Sequence, residues 1–371
     1  MSLDTKNCER SQPAALSFTE SCDRSQSVSI RDVARLAGVS YQTVSRVIND
    51  SPNVRPRTRT AVLEAIAQLR FKPNRAARAL AGGPIQAVTV LSTSTTLYGY
   101  SAAIEGLEEA ARQVGFAMGF RALEDTDPAQ IQEIVERAIE PACGLIVIAF
   151  DRPGAIALQS LPAGVPSAAI IQAPRRGYMP PRAHVWIDEF AAARRATEHL
   201  LALGHQTVHH LPIPDWSGAT PRLAGWRTAL TNAGLTPPQL LKGGWTADWG
   251  YQAGRLMGGR DDITAVLCGN DDMAFGFIRA MFETGRRVPE DISVIGFDDV
   301  PHARFACPSL TTVRQDFKAL AKVCFARLLE EADAGQSIGT LEPPDAELII
   351  RETTARATKC STNGLSKEAS Q

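Results

Sequence analysis

Five residues near the start of the chain, Tyr41, Gln42, Ser45, Arg46 and Asn49, are spaced so that a helix would present them together on one polar face. All five end in hydrogen-bonding groups. An arginine fork suits the edge of a guanine, and a primary amide such as that of Gln42 serves adenine or another base edge. Residues near the start of such a helix sit deepest in a major groove. Their chemistry is that of reading duplex DNA, and the plainer reading of the same pattern is a helical hairpin with a solvated face. Charge tells against the plainer reading. Residues 28–83 hold ten Arg or Lys against three Asp or Glu, about +7, while the whole chain is −1, so the remainder carries about −8. A basic head on an acidic body approaches phosphate with one end only.

That face needs a scaffold, and the flanking residues supply one. Ser29 can cap a first helix over about 30–37, with Asp32 in its first turn, where a negative charge suits the helix dipole. Val33, Ala34 and Ala37 give this helix a small apolar face. Gly38 provides the sharp exit, Val39 points back into the core, and Ser40 caps a second helix whose apolar positions are Val44, Val47 and Ile48. Two short helices so joined pack at a steep angle. A third helix over 56–69 places Val62, Leu63, Ile66 and Leu69 on one side. Asn74 can then cap a short Ala-rich run over 75–81, ended by Gly82-Gly83-Pro84. A helix that short is not stable alone in water. It is expected to fold only against a partner, and its basic residues with Leu80 point to DNA.

Residues 28–82 resemble the headpiece and hinge of the lactose-repressor family of bacterial transcription factors. The matching motifs are Asp32-Val-Ala, Ala37-Gly-Val-Ser, Thr43-Val-Ser-Arg-Val-Ile-Asn49 and Pro73-Asn-Arg-Ala-Ala-Arg-Ala-Leu80. The Tyr41-Gln42 pair with Arg46 is the combination of the member that gives the family its name. The resemblance implies contacts to double-stranded operator DNA from Ser40, Tyr41, Gln42, Thr43, Ser45, Arg46 and Asn49, and from Asn74, Arg75, Ala77 and Leu80 of a hinge helix. Two such hinges would pair in the minor groove at the centre of a palindrome, with Leu80 levered between bases. Arg55 stands where many relatives place a Ser or Thr cap, so the third helix is expected to start less firmly.

Composition bounds the rest. The chain has 371 residues, 44% hydrophobic and 21% charged, an ordinary soluble globular balance. Roughly 270 residues follow the hinge, enough for one large two-lobed body. No apolar run reaches the roughly 18 to 20 residues that span a bilayer, and the Ser-rich first 27, with Asp4, Glu9, Glu20 and Asp23, lack the apolar stretch of a signal peptide. Seven scattered cysteines fit neither a disulfide framework nor a metal site. Reduced thiols in a cytoplasmic protein are the simplest account, with Cys143 and Cys268 expected in the core. No cofactor and no metal are expected.

Beyond residue 84, short apolar runs alternate with helical patterns. Strands are expected over 87–91, 116–120, 144–149, 167–171, 208–211, 264–268 and 293–297, and helices over 102–114, 129–139, 190–203, 224–233 and 273–284. This alternation implies an α/β body of parallel sheets with helices on both faces and ligands at the strand C-terminal ends. The family resemblance continues over about 86–354, through Glu198-His-Leu-Leu-Ala-Leu-Gly-His205, Arg222-Leu-Ala-Gly-Trp226, Cys268-Gly-Asn-Asp-Asp-Met-Ala274, Val288-Pro-Glu-Asp-Ile-Ser-Val-Ile-Gly-Phe-Asp-Asp299 and Leu310-Thr-Thr-Val-Arg-Gln-Asp316. It implies a periplasmic-binding-protein-like (type I) effector domain of two lobes around a cleft. The layout is then an extension over 1–27, a helix-turn-helix domain over 28–72, hinge and linker over 73–84, the effector and dimerisation domain over 85–355, and a polar tail over 356–371.

Carboxylates and amides after strands suit the paired hydroxyls of a sugar, and aromatic faces suit its C–H side. By resemblance, Arg222, Asn270, Asp298 and Gln315 would hydrogen-bond a small-molecule effector, Trp245 would stack on it, and Leu97 with Thr93 would close the first lobe's side. Asp271 and Asp299 are either cleft groups or helix caps, and Trp226 is expected in the core. A lone Arg222 amid Ala, Thr, Pro and Leu calls for an anionic or polyhydroxylic partner. Where a galactoside-sensing relative carries aspartate after its Val-Pro strand, this chain has Ile171 and then Gln172, which puts galactoside specificity in doubt. Trp249 would add a second ring near Trp245. The polar stretch 351–371 has Leu365 as its only leucine and offers no heptad seam, so a homodimer is expected.

The implied function is a repressor released from a palindrome by a sugar or glycoside, a β-galactoside among the candidates. The same architecture with a corepressor or a non-sugar effector is the alternative. A transporter's solute-binding protein has no use for the basic head, and no paired acid and base points to an enzyme.

Overall fold

The computed structural model describes residues 29–48, 51, 54–69, 71, 87–124, 127–140, 142–174, 183–214, 220–332 and 341–357. The expected hinge, with Asn74, Arg75, Ala77 and Leu80, lies outside them, as do Asn49, the first 28 residues and the tail beyond 357. The chain divides into two units, Met1–Pro84 and Ile85–Gln371.

In the first unit, α1 (Ile30–Ala37), α2 (Tyr41–Ile48) and α3 (Pro56–Gln68) close on a core of Val33, Ala34, Val44, Val47, Val62 and Ala65. Leu63 corrects the expected closing face, being 53% exposed. Val62 and Ala65 of α3 are buried, and Ile66 with Leu69 just past the helix end packs half-buried against them, at spacings of three, four and seven from Val62; Leu63 falls one step around the helix from that stripe. Arg55 gives α3 no side-chain cap, while Pro56 at its first position fixes a helical φ where no N–H is needed.

The second unit holds two five-stranded sheets. The first runs β2-β1-β3-β4-β5, built from β1 (Ala87–Ser92), β2 (Ala117–Ala122), β3 (Gly144–Ala149), β4 (Ser167–Ile171) and β5 (Ala183–Val185), all parallel. Alternate residues serve opposite faces. Val88, Val90, Ile146 and Ile148 face α4 (Tyr98–Gln113) and α11 (Phe317–Glu331). Leu91, Leu145 and Val147 face α5 (Pro128–Ile139) and α6 (Arg152–Gln159).

The second sheet runs β10-β9-β8-β7-β6, from β6 (His209–Leu211), β7 (Ala265–Cys268), β8 (Ser293–Asp298), β9 (Thr311–Arg314) and β10 (Glu347–Ile349). One face packs on α7 (Glu189–Ala202) and α8 (Pro221–Asn232), the other on α9 (Ala247–Met257) and α10 (Asp271–Glu283). The expectation of purely parallel sheets is corrected at β10, which pairs antiparallel with β9. The cause is connectivity. The chain leaves the second sheet after β9, lays α11 against β3, β4, β5 and α4 of the first lobe, and returns as an edge strand. With the passage from β5 to α7, it thus crosses between lobes three times.

Cys268 is buried, but Cys143, expected in the core, is exposed one residue before β3. The apolar run it belongs to becomes a buried strand only from Gly144 on.

Candidate functional site

The polar face of α2, expected to read DNA, is set by three local devices. The Asp32 carboxylate accepts hydrogen bonds from the N–H of Ser29 at 2.9 Å and from its Oγ at 2.6 Å, and these bonds hold its pKa below the usual carboxylate value. Gly38 turns the chain at φ 64°, in the left-handed region that glycine enters without cost. The Thr43 N–H donates to Ser40 Oγ at 3.2 Å, so both hydroxyl residues begin α2. Tyr41, Gln42 and Arg46 are then left exposed together, with Thr43 and Ser45 half-buried beside them. Val44 and Val47 face inward and hold that orientation.

In the second unit, a cleft of about 460 Å³ opens between the lobes at the C-terminal ends of their strands. Leu97, Tyr98 and Tyr100 follow β1, Phe150 follows β3 and Gln172 follows β4 on the first lobe's wall. Opposite them stand Glu189, Arg222, Trp245, Asn270, Asp272 and Asp298, and Phe317 begins α11 between the two.

Arg222 organises the floor. Thr220 caps α8 and sets Arg222 in its first turn, where the side chain is buried. Nε and Nη2 donate to Glu189 Oε1 at 3.2 and 2.6 Å, Nη1 donates to the Gly269 carbonyl, and Asp298 Oδ1 lies 3.7 Å from Nη2. The guanidinium also covers the Phe297 ring at 4.2 Å. Asp298 ends β8 with φ 116°, a conformation that L-residues rarely adopt and that costs on the order of 1–3 kcal/mol. Gln315 Nε2 donates to its Oδ1 at 2.8 Å. Burial pushes the Asp298 carboxyl up to about 7, with Glu189 and Asp272 adding to the shift and Arg222 and Gln315 opposing it.

Asn270 caps α10, its Oδ1 accepting from the Met273 N–H at 2.8 Å, and its Nδ2 donates to the Trp245 carbonyl at 2.8 Å. One amide therefore ties the strand end to the loop that carries the aromatic ring.

Of the seven cleft residues expected from the sequence, five line the opening: Leu97, Arg222, Trp245, Asn270 and Asp298. Two do not. Thr93 Oγ1 donates to Asp151, which also accepts from the Tyr100 hydroxyl at 2.8 Å, so the Thr93 hydroxyl is spent within the first lobe. Gln315 stands behind Asp298 and acts through it. Trp249, expected as a second ring, instead packs across Gly244, where a Cβ would collide with the indole. Trp226 is core as expected, its Nε1 donating to the Val208 carbonyl at 2.8 Å.

Neither Asp271 nor Asp299 caps a helix. Asp271 accepts from Thr312 Oγ1 at 2.5 Å and the Val300 N–H at 2.8 Å, and Asp299 pairs with Arg351 at 2.6 Å and Arg314 at 2.8 Å. Both knit β8 and β9 together. Sequence reasoning missed Tyr98, Tyr100, Phe150, Asp272 and Phe317 on the walls and, most consequentially, Glu189 on the floor. Glu189 follows Asp188, whose side chain does cap α7 by accepting from the Ala191 N–H at 2.9 Å, so the acidic pair reads as an ordinary helix start. Among the described residues, no group of three His, Cys, Asp or Glu could hold a metal ion.

Comparison with known proteins decides what this arrangement belongs to. Residues 29–74 match the bacterial regulatory proteins of the lacI family, and residues 197–354 match the periplasmic binding protein-like domain. The lactose operon repressor of Escherichia coli (strain K12) is 34% identical over 331 residues, covering 88% of this chain and 91% of that protein. The chain belongs to the lacI family. The family reaches further in the same comparison: the regulator GalS of Salmonella typhimurium is 33% identical over 82% of this chain and 90% of its own length. The repressor PurR of Haemophilus influenzae is 32% identical, over 87% and 97%.

Among solved structures, the lac repressor dimer bound to operator and the anti-inducer ONPF superposes with a TM-score of 0.75 at 34% identity, covering 88% of this chain and 99% of that one. The complex of the transcriptional regulator CelR with cellobiose gives 0.63 at 27% identity, over the same shares. This lacI-family chain is a DNA-binding transcriptional regulator with a ligand-responsive effector domain.

Proposed function

We propose that this regulator represses sugar-utilisation genes as a cytoplasmic homodimer on a palindromic operator, and that a sugar or glycoside in the interlobe cleft releases it. The observation that carries the reading is the buried Arg222–Asp298 floor, faced by Trp245 and ringed by hydrogen-bonding side chains in the interlobe cleft. The resemblance to a regulator described with cellobiose supports a glycoside. Filling the cleft bridges both lobes, so a ligand that prefers one lobe arrangement shifts the population of DNA-competent dimer.

Dimerisation follows from the reading face, since one α2 serves one half-site. A surface for it exists on the second lobe, where Phe282 and Phe305 are each 73% exposed beside a groove lined by Phe275, Ile278 and Val288 together with Arg279, Arg286, Arg287 and Glu290. A second copy covering that groove removes an apolar patch from water.

The test is operator release. Fluorescence anisotropy on a labelled palindrome, titrated with mono- and disaccharides after a thermal-shift screen, should show at least one sugar that raises the melting temperature and dissociates the complex. A protein that holds the operator unchanged across every sugar, or that binds no palindrome, would refute the reading.

A further inference from the structure

The floor of the cleft holds a buried carboxylate oxygen with no partner and more carboxyl groups than cations. Glu189 is 6% exposed and lines the opening; its Oε1 takes two hydrogen bonds from Arg222, while its Oε2 is buried without a partner. Gln315 Oε1, directly behind Asp298, is likewise buried and unpartnered. The donors of the floor, on Arg222 and Asn270, are already engaged. The Nε, Nη1 and Nη2 of Arg222 all have acceptors in Glu189 and Gly269, and the Asn270 amide donates to Trp245. Three carboxylates, Glu189, Asp272 and Asp298, face the cleft against one guanidinium. With that guanidinium bound to Glu189, an anionic ligand finds no free cation among the described residues of the lining.

We propose that the effector carries a protonated amine, as an amino sugar does, and that Glu189 Oε2 is the acceptor that selects for it. This rests on the reading of the cleft as a sugar site given above. An ammonium supplies three donors and a positive charge to a site short of both. The Tyr98, Phe150 and Phe317 rings on the facing wall suit a cation further. The surrounding titrations agree in direction. Burial raises the Tyr98 phenol, and the fields of Asp298, Asp299, Asp316 and Asp271 raise it more. Burial holds Asp298 near 7 even with Arg222 beside it. Asp272 is raised by burial as well. An arriving cation draws the Asp298 carboxyl down, so binding releases a proton near neutral pH.

The experiment compares galactosamine, glucosamine and mannosamine with their neutral parents and their N-acetyl derivatives, by calorimetry on the full chain in buffers of differing ionisation enthalpy. At least one amine should bind about tenfold or more tightly than its parent and its N-acetyl form, with net proton release, and Glu189→Gln should abolish that preference. Proton release is read on the wild-type chain, so it stands even if Glu189→Gln fails to fold. Neutral parents binding as well as the amines, or a preference that survives Glu189→Gln, would overturn the proposal while leaving the sugar reading intact. A panel in which nothing binds would overturn both.

Discussion

At the residue scale, Arg222 is held by charge more than by shape. Two carboxylates and a carbonyl surround it, and removing the cation leaves Glu189 and Asp298 buried without a counter-charge. Breaking such a buried pair costs about 3–5 kcal/mol. Arg222→Ala should lower the urea midpoint accordingly and flatten the sugar dose-response of operator release; a mutant that released DNA at the wild-type sugar concentration would remove Arg222 from the site. Asp298 gives a pH prediction. Its folded pKa of about 7 lies above the ordinary aspartate value of 3.8, so between those values the folded state keeps a proton that the unfolded chain has lost. Stability is full below about pH 4, falls as pH rises through the window, and levels off above about 7, by an amount on the order of a few kcal/mol. Asp298→Asn should flatten the melting-temperature profile across that window. Arg222 was legible because a lone arginine in an apolar stretch needs a partner. That partner was not, because Glu189 lies 33 residues earlier and only the fold brings it into reach.

At the scale of elements, helices and buried strands announce themselves in the sequence when they have a stripe or an apolar run, as β3 and β4 do with the bounds expected of them. The missed strands β5, β9 and β10 are three or four residues long, too short for alternation to register. The helix α11 was missed for the opposite reason. Nine of its fifteen residues are buried, because it runs between the first sheet and α4, and a helix that is apolar nearly all round has no stripe to find. Its fit against α4 depends on Gly106. A Cβ there would lie 2.7 Å from the Lys318 carbonyl oxygen and 2.8 Å from its Cα, both backbone atoms that cannot swing away. Gly106→Ala should therefore cost about 1–3 kcal/mol, read by chemical denaturation, despite alanine's better helix propensity. A neutral or stabilising result would mean that α11 shifts freely on the first lobe. At Gly38, by contrast, space is open and only φ objects. Gly38→Ala should cost about 1 kcal/mol of headpiece stability, visible as weakened operator binding with the sugar response kept.

At the scale of the whole molecule, the basic head and the groove of the second lobe have to cooperate. A single head on a single half-site has phosphate contacts and a few base contacts, and non-specific binding of that kind is weak and steeply salt-dependent. Joining two heads turns the second half-site into an intramolecular encounter, which raises operator affinity far more than any one contact can. In the proposed dimer the exposed Phe282 and Phe305 are the side chains on which that joining rests, because each leaves a large apolar ring in water in the single chain. A carboxylate in place of Phe305 removes the apolar ring from the seam and has to be desolvated there even with Arg304 beside it, whereas in the monomer it is merely solvated. Phe305→Asp should therefore leave the melting temperature of the dilute protein within a few degrees. It should shift sedimentation from dimer to monomer, and weaken binding to the palindrome about a hundredfold or more at fixed salt, while binding to an isolated half-site stays as it was. A variant that still sediments as a dimer would place the interface elsewhere on the molecule. A monomer that bound the palindrome undiminished would show that the two heads read their half-sites independently, and the lobes would then have no lever on the DNA.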